Sequence, residues 1–362
     1  MMRGRLLIVL IAATLSACIP VSVDGSATPV SQASPEAIRG VHNVGITVSD
    51  IDDTLAFYSA VVPYELVDRQ RVDAKLVPKE ILGKREGEIE IALVWTPTVF
   101  LRLIDIDPET KAASNRRPAT GPGYTHICFQ SPADAPKYGP FKDGGLDMLS
   151  RGDGPVDLGG YGVTYAYGFD PDGIMIEMEQ VDRPLIEASG YMGQQRLRHE
   201  AWITHLANVT AVKPAMVEFY RGILGYGPQR EIPPMRRKTF DNVVDIDDVE
   251  ISASWFDVGN IQLEFWHYSQ PETPLRREPR KLDEIGYNGF AFEVTDLDGT
   301  IARLRGLGME FATDPFELAG WRIAFAHDPE GNLLAFQQRD TARPEFSIED
   351  MRWFALTRSP EP

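Results

Sequence analysis

Between Gly123 and Phe129 the chain alternates: Ile127 and Phe129 fall on one side of an extended strand, and His126 and Cys128 on the other. Side chains along a strand repeat with period two, so an apolar face and a chemically competent face are set side by side. From 174 to 179 the same pattern puts Ile174, Ile176 and Met178 against Met175, Glu177 and Glu179. The preceding Pro171-Asp172-Gly173 is a turn signal that launches this strand, so Glu177 sits in its middle. In the stretch Asn260 to Trp266, Ile261, Leu263 and Phe265 oppose Gln262, Glu264 and Trp266. From 99 to 104, Val99, Leu101 and Leu103 form the apolar side, and Arg102 falls where Glu264 stands. Helical spacing appears over 50–58, with Leu55, Phe57 and Tyr58, and over 214–224, with Met216, Phe219, Tyr220 and Ile223.

These elements repeat. Asn43 to Val48 resembles His205 to Thr210, 162 residues further on, and both are followed by a helix carrying Phe-Tyr, at Phe57-Tyr58 and Phe219-Tyr220. Gly123 to Phe129 resembles Gly286 to Phe292, and Asp170 to Gly173 resembles Asp328 to Gly331. The chain therefore reads as four modules, at about 38–106, 122–182, 200–268 and 285–339, each a strand, a helix and a run of strands.

Composition narrows the partners. The 362 residues carry 36 Lys and Arg against 53 Asp and Glu, a net charge of −17 without a long basic run, which argues against nucleic acid and against an anionic membrane face. The N-terminus has its own address. Arg3 and Arg5 precede an apolar run from Leu6 to Leu15, and Leu15-Ser16-Ala17-Cys18 follows, so 1–17 is expected to be a signal peptide. These four residues resemble the bacterial lipobox, which implies lipidation of Cys18, an exported periplasmic lipoprotein held at the membrane through that lipid, and, with Ile19 after the Cys, preference for the outer membrane. Residues 18–36 read as a tether with a reach of roughly 20 to 25 Å. With Cys18 acylated, Cys128 has no disulfide partner and reads as a small buried side chain.

The four-module pattern resembles the vicinal oxygen chelate superfamily, which includes glyoxalase I, extradiol dioxygenases, fosfomycin-resistance proteins and bleomycin-binding proteins. The resemblance covers nearly the whole mature chain. It implies an α+β fold of four βαβββ modules forming two half-barrel domains, at 37–183 (modules 1 and 2) and 200–340 (modules 3 and 4), before a C-terminal tail of 341–362. In that tail, 346–356 reads as a helix packing on the core or a partner subunit.

In the family each module offers one residue from its first strand and one from its last to a divalent metal. By that correspondence the first-strand positions are Asn43, His126, His205 and Gly289, and the last-strand positions are Arg102, Glu177, Glu264 and Ala335. His42 is one residue out of register, on the side of Val44, Ile46 and Val48. If modules 2 and 3 pair, His126, Glu177, His205 and Glu264 share one cup, and modules 1 and 4 form a metal-free cup expected to fill with its own side chains. If 1 pairs with 2 and 3 with 4, each domain holds only one His and one Glu.

Two imidazoles and two carboxylates suit Zn, Ni, Co or Mn. The resemblance then implies a glyoxalase-I-like lyase or isomerase acting through an enediolate on a small oxygenated substrate, with Glu177 or Glu264 as the base. One alternative is an Fe(II) extradiol-type dioxygenase using His42, His126 and Glu177. Another is a non-catalytic small-molecule binding protein of the bleomycin-resistance type. A monomer and a homodimer are both compatible with the sequence.

Overall fold

The structure, a computed structural model, describes residues 38–84, 86–110, 114–189, 201–276 and 278–351. The expected leader, Cys18 and most of the tether lie outside the described residues, as do Trp353, Phe354 and Leu356 of the tail.

Module 1 comprises β1 (Ile38–Val48), α1 (Ile51–Ser59), β2 (Glu65–Asp73), β3 (Glu88–Trp95) and β4 (Phe100–Asp105). Module 2 comprises β5 (Gly123–Pro132), α2 (Tyr138–Asp143), β6 (Asp147–Met148), β7 (Val156–Asp157), β8 (Val163–Phe169) and β9 (Met175–Val181), followed by α3 (Arg183–Ser189). Module 3 comprises β10 (Trp202–Val209), α4 (Lys213–Leu224), β11 (Arg230–Met235), α5 (Lys238–Val244), β12 (Glu250–Asp257) and β13 (Gln262–Gln270). Module 4 comprises β14 (Gly286–Val294), α6 (Leu297–Gly306), β15 (Phe316–Leu318), β16 (Trp321–His327) and β17 (Leu333–Gln338).

Local chemistry explains the helix ends. Asp50 caps α1 by accepting a hydrogen bond from the Asp53 amide, and Gly225 ends α4 in the left-handed conformation at φ 80°.

The strands form two curled sheets. One has the order β15-β16-β17-β14-β1-β4-β3-β2 and the other β11-β12-β13-β10-β5-β9-β8-β6, with β7 paired to β8. The joins are antiparallel pairs of first strands, β1 with β14 and β10 with β5. Modules 1 and 4 thus share one sheet, and modules 2 and 3 the other. Each of the sequence segments 37–183 and 200–340 contributes to both sheets.

One hydrophobic core takes the apolar faces of both sheets, with Val44, Ile46, Leu101 and Leu103 from the first and Ile127, Ile176, Leu206 and Leu263 from the second. Phe57, Tyr58, Met216, Tyr220 and Ile301 add the helical contribution. Polar ties cross between the sheets at pseudo-equivalent places. The Ser49 amide donates to Asp172 at 2.9 Å and the Ala211 amide to Glu330 at 2.9 Å. Tyr287 donates to the Met175 carbonyl and Tyr124 to that of Leu333, each at 3.0 Å.

The faces turned away from this core are the cups. In the sheet of modules 1 and 4 the cup is filled. Ala74, Val77, Ile81 and Leu82 pack there on Ala291, Leu333 and Ala335. Ile348 and Met351 of the tail pack on Phe100 and Trp321. Of the helix expected over 346–356, the described part, as far as Met351, holds a 3-10 turn at Ile348–Asp350, preceded by another at Pro344–Phe346.

Candidate metal centre

Strand register places the eight candidate positions equivalently. Cys128 pairs with Glu177, Ala207 with Glu264, Gly45 with Arg102 and Ala291 with Ala335, so every last-strand position faces the residue two beyond its first-strand counterpart. On parallel neighbours this offset puts both side chains on the cup face.

In the sheet of modules 2 and 3, His126, Glu177, His205 and Glu264 come together with their ligand atoms all within 4.8 Å of one another. His126 Nε2 lies 3.0 Å from Glu177 Oε2 and 3.7 Å from Glu264 Oε2. For His205 Nε2 the corresponding distances are 3.3 and 3.1 Å. Four ligands about 2.1 Å from a common ion are separated by about 3.0 Å along an octahedral edge and about 3.4 Å along a tetrahedral one, so the observed spacings fit either geometry.

Each imidazole is held from behind in the same way, by the hydroxyl of the residue before it. Thr125 Oγ1 is 3.1 Å from His126 Nδ1, and Thr204 Oγ1 is 3.1 Å from His205 Nδ1. In the tautomer whose Nδ1–H donates to the threonine oxygen, Nε2 turns its lone pair inward.

The fit of a cation is tested by the orphaned atoms. His126 Nε2 and Glu264 Oε2 are buried and have no hydrogen-bond partner. Polar atoms at hydrogen-bond distance but not aligned for hydrogen bonds are what lone pairs aimed at a common centre produce. A buried atom left in that state costs about 1 to 3 kcal/mol, and a cation at the centre removes the cost. The electrostatics point the same way. Burial works against ionised carboxylates at Glu177 and Glu264, yet the facing imidazoles outweigh it and hold both below the usual carboxylate range. Burial likewise opposes protonation of His126 and His205, and the two glutamates outweigh it, raising both. The four groups demand positive charge at their centre.

Beside them the Cys128 thiol contacts Glu179 Oε2 at 3.5 Å, and burial pushes the thiol up and raises Glu179 to about 7. Cys128 is a buried thiol, as expected.

The equivalent positions of the other sheet hold no such set. Arg102, its pKa lowered by burial to about 10, donates to Gln337 Oε1, which also accepts from Asn43 Nδ2 at 3.3 Å. A Cβ on Gly289 would lie 2.6 Å from the Leu333 carbonyl oxygen, so this position has no room for a ligand side chain.

His42 departs from its expected place on the core face. Val41 pairs with Phe292 and Asn43 with Ala291, which makes His42 the extra residue of a β-bulge. The bulge turns its ring onto Phe100 and Trp321, with centroids at 4.8 and 5.0 Å, and Nε2 lies 2.9 Å from the Phe346 carbonyl oxygen. His42 and His126 therefore lie in different sheets, and the set His42, His126 and Glu177 is not formed.

A small cleft adjoins the four residues, and sequence reasoning missed it. Tyr165 and Tyr167 from β8, and Trp266 and Tyr268 from β13, line it together with Phe240 and Val244 of α5, Val249 and Ile251. The signal was available as alternation, since Glu264, Trp266 and Tyr268 share one face of β13. The Tyr167 ring packs 4.7 Å from that of His126. Helix α5 is pinned over the cleft where Ser150 Oγ donates to the Val243 carbonyl at 2.7 Å and the Arg151 amide to that of Asn242 at 2.8 Å.

Residues 202–336 match the family model described as Glyoxalase/Bleomycin resistance protein/Dioxygenase superfamily. Among solved structures, glyoxalase I from Zea mays is similar with a TM-score of 0.54 at 16% identity, over 83% of this chain and 92% of that one. A point variant of the same maize enzyme gives 0.54 at 16% identity, over 85% and 95%. A structure described as a putative dioxygenase from Bacillus subtilis gives 0.48 at 10% identity, over 88% and 91%. No curated protein sequence matches the chain. Residues 202–336 thus match the glyoxalase/bleomycin resistance protein/dioxygenase superfamily by sequence, and over most of its length the chain has the fold of glyoxalase I from Zea mays.

Proposed function

We propose that the protein is an exported, divalent-metal-dependent lyase or isomerase of the glyoxalase type, acting on a small oxygenated substrate. The observation that carries this reading is the convergence of His126, Glu177, His205 and Glu264 with an orphaned Nε2 and an orphaned Oε2 at their centre. The fold shared with glyoxalase I from Zea mays supports it. Zn, Ni, Co or Mn fits a set of two nitrogens and two oxygens. Such a dication supplies electrostatic stabilisation for negative charge that develops on substrate oxygens.

The protein's own residues divide the remaining work. His126 and His205, oriented by Thr125 and Thr204, would hold the ion together with Glu177, whose Oε2 lies 3.0 Å from His126 Nε2 and 3.3 Å from His205 Nε2. We assign Glu264 as the base, because its Oε2 is the carboxylate oxygen held farther from His126 Nε2, at 3.7 Å against 3.0 Å for Glu177. It takes a proton from the carbon beside the substrate carbonyl and returns it to the neighbouring carbon, leaving the substrate's atom count unchanged. The α5 helix and the aromatic side chains beside it restrict water at this step. The lipobox-like Leu15-Ser16-Ala17-Cys18 supports export and lipidation at Cys18, and with them a periplasmic setting for this chemistry.

The assignment is tested by comparing two variants. Glu264→Gln is expected to retain metal within about tenfold and lose about 10² to 10⁴ in turnover, and Glu177→Gln to lose metal first. Equal turnover in wild type and Glu264→Gln at saturating metal would remove Glu264 from the base role.

A further inference from the structure

The second cup inverts the chemistry of the first. Where modules 2 and 3 gather imidazoles and carboxylates, the equivalent positions of modules 1 and 4 hold Asn43 and Arg102, and Gln337, two residues beyond Ala335 on the same face of β17, reaches both. Their hydrogen bonds have one direction. The Phe346 carbonyl only accepts, so His42 Nε2 carries the hydrogen that reaches it at 2.9 Å. Burial and the Arg102 charge lower the His42 pKa to about 3, and the neutral ring turns its Nδ1 lone pair to Asn43 Nδ2, also at 2.9 Å. Asn43 Nδ2 and Arg102 Nη2 both donate to Gln337 Oε1. Exchanging the oxygen and nitrogen of that amide would set a donor against two donors, so its orientation is fixed. Gln337 Nε2 is thus a wholly buried donor without an acceptor. Arg102 has a matching deficit. It is 4% exposed, and its hydrogen bond to Gln337 is to a neutral amide. Burial lowers its pKa only to about 10, so it is a cation at neutral pH. Among the described residues no carboxylate pairs with it. Glu293, which faces Gln337 across β14 and β17, accepts instead from Ser347 Oγ at 2.7 Å and from the Ile348 amide at 3.2 Å, and Glu349 pairs with Arg39 and Arg339.

We infer that the cup of modules 1 and 4 holds one small monovalent anion, a halide, between the Arg102 guanidinium and Gln337 Nε2. A buried charge is costly unless it is paired, and a buried donor unless it finds an acceptor. One halide answers both demands, as counter-charge to Arg102 and as acceptor for the amide. The walls limit the ligand to a single small ion, since Phe100, Trp321, Ile348 and Met351 pack over one part of the cup and Val77, Ile81, Leu333 and Ala335 over another. Through Gln337, Asn43 and His42 the ion is joined to the Phe346 carbonyl, so its binding holds the tail on the cup. The site owes nothing to the metal centre, which lies in the other sheet.

The test uses the full chain in halide-free buffer, with bromide as the probe and bulky gluconate keeping the ionic strength constant. The thermal unfolding midpoint of the wild type is expected to rise by at least about 2 °C as bromide goes from zero to about 0.2 M, and to level off. Gln337→Glu sets a carboxylate against Arg102 in place of the amide, so this variant is expected to fold and to lose the bromide dependence. A measurement on the wild type alone stands beside it. Anomalous scattering from crystals grown in bromide is expected to show a peak within hydrogen-bond reach of both Gln337 Nε2 and the Arg102 guanidinium. A wild-type midpoint insensitive to bromide, an equal rise in folded Gln337→Glu, or crystals with no bromide between those two side chains would overturn the inference.

Discussion

Removal of one imidazole from the four-residue group has a calculable consequence. In His205→Ala, the lost Nε2 is the atom 3.1 Å from Glu264 Oε2 and 3.3 Å from Glu177 Oε2, so both carboxylates lose a neighbour and the ion loses one of four ligands. Four-ligand zinc sites in small domains are worth about 10 to 16 kcal/mol, or about 3 kcal/mol for each ligand on equal division. That corresponds to about 100-fold in dissociation constant. The alanine leaves space for a water molecule, which recovers part of the loss, so 30-fold to 100-fold weakening is expected, to order of magnitude. Competition against a chromophoric chelator at fixed pH measures it directly. Circular dichroism of the metal-free variant separates this loss from unfolding, since β10 stays clamped between β5 and β13. A variant that folds normally and binds zinc within threefold of wild type would refute the reasoning, because it would show that His205 Nε2 does not face an ion.

Other consequences follow from the same geometry. Metal affinity should rise with pH. Glu177 and Glu264 raise His126 and His205 above the ordinary imidazole range, so protons compete for the same Nε2 atoms, and each proton displaced contributes about tenfold per pH unit. Dissociation constants at pH 6 and pH 8 check this, and a flat or falling affinity would contradict it. Thr204→Val removes the oxygen 3.1 Å from His205 Nδ1 and should cost about 10-fold to 100-fold in metal affinity with little change in stability. Gly289→Ala forces a Cβ to within 2.6 Å of the Leu333 carbonyl oxygen and should cost about 1 to 3 kcal/mol, seen as a lower urea midpoint at unchanged slope.

Much of this was readable from alternation and repetition. Period two fixes which of Ile127 or His126, and which of Leu263 or Glu264, meets the core, and the repetition of one unit in four modules makes the ligand positions of modules 2 and 3 equivalent. The pairing of modules was not readable, because the connection through 183–200 permits several paths, whereas the antiparallel joins of β1 with β14 and β5 with β10 are tertiary choices. His42 was misplaced because a bulge is one extra residue that periodicity does not announce. The filling of the second cup by Ala74 to Leu82 was equally hidden, since a loop carrying Val77, Ile81 and Leu82 has no strand or helix period. Helix α5 was legible in principle, as Phe240, Val243 and Val244 recur at helical spacing, although it spans only Lys238–Val244.

The central claim, one divalent ion held jointly by modules 2 and 3, is tested most directly by elemental analysis of the purified protein beside a His126→Ala, His205→Ala double variant. About one Zn, Ni, Co or Mn per chain in the wild type and none in the folded double variant is the predicted result. A folded wild type that holds no divalent metal after reconstitution, or a double variant that holds as much as the wild type, would contradict it.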